Sequence, residues 1–119
     1  MPIPDLLGLT RLAKPVTSAE GNRILERDRY RCQYCGLDGL ASFENSLILT
    51  VDFLHPRAHK GKKTETNLVT ACRPCNVIKG RRLFDSFEDA KAYVLKRRME
   101  LQKEWESKAV KLRSQPAAV

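Results

Sequence analysis

The chain has 119 residues, 42% of them hydrophobic and 30% charged, the size and balance of a single soluble domain. No apolar run approaches the roughly 18 residues of a membrane span, and the N-terminus lacks the basic start and apolar length of a secretory signal, so a membrane protein is excluded and a cytoplasmic location is expected. Lysine and arginine number 22 against 14 acidic residues, a formal charge of +8 that points to a polyanion, nucleic acid ahead of an anionic membrane.

Residues 1–16 carry three prolines and little period, and read as an extended arm. Thr17 and Glu20 then stand at capping-box spacing, which predicts a short helix over 18–28. "RCQYCG" reads as a tight turn, and "LDGLASFENS" as a polar loop. "LILTVDFL" is rich in leucine, isoleucine and valine and predicts a strand. "PRAHKGKKTETN" is a basic loop around Gly61, followed by the short apolar stretch "LVTAC" and a helix starting near Asn76. From 86 to 113 the apolar positions recur at helical spacing, with Ser86 and Asp89 suited to cap the start. Trp105 reads as a packing anchor on this helix. The expected organisation is therefore an arm at 1–16, a domain at 17–85, a C-terminal helix at 86–113 packed on or extending from it, and a tail at 114–119.

Cys32 and Cys35 form one Cys-x-x-Cys pair, and Cys72 and Cys75 form a second. Two intervening residues let both thiolates of a turn address one ion, and two such turns complete a tetrahedral site. In a chain read as cytoplasmic, this pattern predicts a structural zinc rather than disulfides. A closed four-sulfur site has no open position for substrate, so the ion is a folding device.

"RDRYRCQYCG" followed by "LTVDFLHPRAHKGKKTETNLVTACRPCNVIKGRR" resembles the HNH endonuclease family, in its sub-type with two zinc knuckles. The resemblance implies an α+β fold: a ββα-metal core stapled by the four cysteines, with flanking N- and C-terminal helices. It also implies cleavage of phosphodiester bonds, most often in DNA, with a catalytic Mg²⁺ or Mn²⁺. By the same resemblance Asp52 is the metal-binding acid of the first strand and Asn76 the second metal ligand. Asn67 is the middle residue that supports the geometry around the base. Lys79 and Gly80 lie where the helix nears the phosphate backbone.

One position departs from the pattern. The family reads Asp-His on the first strand, with that histidine as general base. Here Phe53 follows Asp52, and the histidine comes later, at His55. Phenylalanine cannot accept a proton. Side chains two apart on a strand share a face, so His55 would project on the base's side, although about 6.6 Å further along. Two readings follow. Either His55 has taken over as base, or the fold survives as a catalytically degenerate nucleic-acid-binding module. The retention of Asp52, Asn67 and Asn76 favours the first. His59, in the basic loop, reads as a solvated residue and is the next candidate base.

Arg57, Lys60, Lys62, Lys63, Lys79, Arg81 and Arg82 flank the motif and are the expected phosphate contacts. No base-reading signature accompanies them. The expected partner is double-stranded DNA, gripped through its backbone.

Overall fold

The computed structural model describes residues 14–117. Most of the expected arm, and the last two residues of the tail, lie outside them. Helix α1 (Ser18–Arg27) begins at Thr17, whose side chain accepts from the Glu20 amide while the Glu20 carboxylate accepts from the Thr17 amide, both at 3.2 Å. This is the capping box read from the sequence. After the helix, Arg29 and Tyr30 adopt left-handed backbone at φ of 55° and 54° and turn the chain into the first cysteine pair.

The stretch expected to be a polar loop contains a short helix, α2 (Phe43–Leu47). Ser42 caps it by accepting from the Asn45 amide at 3.0 Å. One turn is too short for any period to show, so only the cap could have announced it.

Strands β1 (Leu49–Phe53) and β2 (Leu68–Cys72) form an antiparallel pair, in register from Leu49 opposite Cys72 to Phe53 opposite Leu68. Helix α3 (Arg73–Lys79) follows β2 directly. It starts three residues before Asn76 because Pro74 sits in its first turn, where a missing N–H costs nothing. Helix α4 (Phe87–Arg113) is capped by Ser86, which accepts from the Asp89 amide at 3.1 Å. The order strand, strand, helix, with helices on either side, is the α+β arrangement anticipated from the sequence.

Alternation along the hairpin splits the interior in two. Phe53 and Leu68 pack with Ile24 of α1, flanked by Val16 and Val51. A second cluster holds Cys32, Tyr34, Ala71, Cys72, Cys75, Ala90 and Val94, so the cysteine site and the start of α4 share one core. Val94 is the last fully buried residue of the helix, and beyond it Arg98 still reaches back to Cys75. Trp105 is 57% exposed, with Arg113 over its ring and Pro74 and Ile78 across a shallow groove, and it belongs to neither buried cluster.

Candidate metal centre and the loop of His55

The four cysteine sulfurs lie within 4.8 Å of one another. Cys35 and Cys72, one from each pair, approach to 3.7 Å. Tetrahedral zinc with Zn–S bonds of about 2.3 Å requires sulfurs about 3.8 Å apart, so the donor set fits that ion in both chemistry and spacing. The first pair is shaped by its turn, where the amides of Cys35 and Gly36 fold back onto the sulfur and carbonyl of Cys32, and the second lies at the start of α3. Hydrogen bonding to Cys72 and Cys75 pulls the Cys32 thiol far down, and hydrogen bonding to Cys32 and Cys72 pushes the Cys75 thiol far up. A divalent ion held by Cys32, Cys35, Cys72 and Cys75 would relieve that competition. The Arg98 guanidinium of α4 lies 3.6 Å from the Cys75 sulfur and adds a positive charge on the outer side.

On the opposite side of this core, β1 and α3 meet through two polar rungs. In the first, the Asn76 amide donates to the Thr50 hydroxyl at 3.1 Å. In the second, the Lys79 ammonium reaches Asp52 at 3.4 Å and the Phe53 carbonyl at 2.9 Å. Thr50 and Asp52 are two apart on the strand, and Asn76 and Lys79 three apart on the helix, so both rungs follow from the two periodicities. The Tyr34 hydroxyl donates to Asp52 Oδ2 at 2.6 Å. Burial and the adjacent Asp52 charge push the Tyr34 phenol far above its ordinary value, which keeps it a donor. Burial also pushes the Asp52 carboxyl up, against the opposing pull of Lys79.

This arrangement corrects one expectation. Lys79 is not a surface contact for phosphate: it is fully buried and spends its charge on Asp52. It also bears on the divalent ion expected at Asp52 and Asn76. Both carboxylate oxygens are engaged, an ammonium already stands beside them, and the Asn76 amide nitrogen is turned to Thr50. As arranged here these residues do not fit a second divalent cation.

His55 is placed by different means. β1 ends at Phe53, so the same-face rule for residues two apart does not extend to His55. Phe53 is buried toward α1, while His55 is exposed and lines a cleft of about 260 Å³ with Leu54, Asn67 and the start of α4. The His55 ring Nε2 lies 2.7 Å from the His59 carbonyl. The Asn67 side chain grips the His55 backbone from both sides, accepting from its amide at 2.7 Å and donating to its carbonyl at 3.1 Å. A third bond runs from the Asn67 amide to the Lys62 carbonyl at 2.8 Å, which closes the loop. Gly61 is required there because any Cβ would overlap the His55 carbonyl oxygen. With all these bonds spent on backbone, Asn67 positions the loop rather than a water molecule. Asn67→Ala is expected to cost about 1–3 kcal/mol and to speed amide exchange at His55 while the hairpin stays protected, which hydrogen-exchange NMR measures.

The HNH endonuclease family model matches residues 32–82, from the first cysteine of the cluster to the basic residues after α3. Over this segment, somewhat under half of its length, the chain is similar to the HNH endonuclease family. No curated protein and no solved structure matches the chain. The paired knuckles and the β1–β2–α3 order of the HNH segment are those the resemblance implied.

The remaining basic residues of the HNH segment do not form one uniform face. Lys60, Lys62, Arg81 and Arg82 are exposed. Arg57 is half-buried with its guanidinium 5.9 Å from the centre of the Phe53 ring, and Arg82 leans over Tyr93 at 4.9 Å. Lys63 ties the loop to α1 through Glu20 at 2.9 Å. That ammonium, with the Thr17 cap, holds the Glu20 carboxyl at about 2. A depressed carboxylate contributes stability above its ordinary value of 4.5, and the contribution is lost as pH falls toward 2. The Glu20 resonance should therefore titrate well below that of an ordinary glutamate, and Lys63→Met should move its midpoint upward.

Two supports were not read from the sequence. Tyr34 looks like a spacer between two ligands, and nothing local says that its hydroxyl meets an acid 18 residues on. Arg27 donates to the carbonyls of Glu65 at 2.7 Å and Leu68 at 2.5 Å, fastening α1 to the start of β2. A basic residue in the last turn of a helix signals only a favourable helix dipole.

Proposed function

We propose that the HNH segment hydrolyses phosphodiester bonds of double-stranded DNA, with His55 as general base. The observation that carries this reading is the seating of the imidazole. A carbonyl can only accept, so the contact with His59 places the proton on Nε2 and leaves Nδ1 with a lone pair. Nδ1 takes a proton from water, the water oxygen bonds to phosphorus, and the bond from phosphorus to the leaving ester oxygen breaks. Solvent protonates the leaving oxygen. Lys60 and Lys62, exposed in the same loop, supply positive charge to the phosphate, with Arg81 and Arg82 beyond α3 gripping the backbone. The Asn67 clamp holds the base still, which is where orientation contributes to rate.

A nicking assay on supercoiled plasmid, with Mg²⁺ or Mn²⁺ supplied, tests this. His55→Ala should lower the rate by about 10²–10⁴-fold with zinc content and fold unchanged. Cutting that survives the substitution would remove His55 from the role. A second reading has its own support: Phe53 is built into the α1 core and Asp52 is neutralised by Lys79, which suits a nucleic-acid-binding module without cleavage. Salt-sensitive DNA binding with no cutting by the wild type, across metals and substrates, would select it.

A further inference from the structure

The rung between Lys79 and Asp52 is more than a missing metal ligand. The ammonium is 0% exposed and has three acceptors: both Asp52 oxygens, at 3.4 Å, and the Phe53 carbonyl, at 2.9 Å. Among the described residues no buried side-chain polar atom lacks a partner, so the pocket is chemically complete as it stands. Charge is balanced too, one carboxylate against one ammonium. Asn76, one turn earlier on the same helix face, likewise meets the acid's strand with a donor, its amide nitrogen on the Thr50 hydroxyl. A divalent ion placed on Asp52 would face the ammonium at contact distance in a poorly solvated site, where like charges repel strongly.

Lys79 is also the last residue of α3. Gly80 follows with φ of 60°, so the chain leaves the helix at the point where the long side chain would have to swing away. We infer that Lys79 is an internal cation that competes with a divalent metal for Asp52. Metal is taken up at this acid only when the ammonium leaves. This deepens the proposed nuclease reading by naming a control on its metal requirement, but it concerns metal occupancy and not the identity of the base.

The test uses the zinc-loaded full chain and Mn²⁺ as the probe. Electron paramagnetic resonance measures free Mn²⁺, and paramagnetic broadening of amide resonances locates the bound ion. Lys79→Met should bind one Mn²⁺ at least about tenfold more tightly than wild type, and Lys79→Met/Asp52→Asn should lose the gain. Equal affinity in wild type and Lys79→Met, with broadening centred on Asp52 in both, would overturn the inference. If Lys79→Met does not fold, the wild type decides alone. Broadening at Asp52 and Asn76 only in large Mn²⁺ excess supports the competition, and broadening at stoichiometric Mn²⁺ refutes it. Because no cleavage is read, a result against His55 leaves this outcome untouched.

Discussion

Cys75→Ser will unfold the domain. Cys75 is completely buried in the core that also contains Cys32, Cys72, Tyr34, Ala90 and Val94. The four-sulfur site therefore joins three separate pieces of chain: the first knuckle, the turn from β2 into α3, and the first turns of α4. Structural zinc in small domains supplies an apparent 10–16 kcal/mol or so, which matches or exceeds the whole stability of a typical domain at about 5–15 kcal/mol. The apolar clusters here are small and divided between two faces, so no other core can compensate. Zinc stoichiometry by elemental analysis and helicity by circular dichroism should fall together, in the variant and after chelation of the wild type. A Cys75→Ser protein that stays folded with α4 docked would show that the cysteine cluster is not the staple.

Asp52→Asn should cost about 3–5 kcal/mol, the usual consequence of removing one partner of a buried ion pair. The loss comes from what remains: Lys79, with no solvent access, is left with one neutral carbonyl and an amide in place of the carboxylate. Tyr34 loses its charged acceptor in the same step. The double variant Asp52→Asn/Lys79→Met removes the orphaned charge and should recover a large part of the loss, a non-additive result that denaturant unfolding of all four proteins would measure. Additive costs would mean that the two side chains do not depend on each other, and the rung described here would be wrong. The same substitution abolishes cleavage if Asp52 serves catalysis, so stability must be measured before loss of nicking is assigned to chemistry.

How much of this was legible beforehand divides by distance along the chain. The two Cys-x-x-Cys turns, the capping box at Thr17 and Glu20, the Ser86 cap and the alternation of β1 depend on residues a few positions apart, and local geometry determines them. The sequence by itself therefore determined the zinc-type site, the order of strands and helices and the resemblance to the HNH endonuclease family. Four things were decided only when the chain folded. β1 stops at Phe53, which sends Phe53 to the α1 core and His55 to the opposite cleft, where strand alternation alone had put them on one side. Asn67 spends its amide on the backbone of a loop that begins 12 residues earlier. Tyr34 finds Asp52 across 18 residues. Lys79, read from the sequence as one of seven phosphate contacts, becomes the buried partner of the acid because α3 lays that one position against β1. A lysine's spacing shows which side of its helix it occupies. What that side faces depends on how the helix crosses the sheet, and that crossing is a property of the packed core.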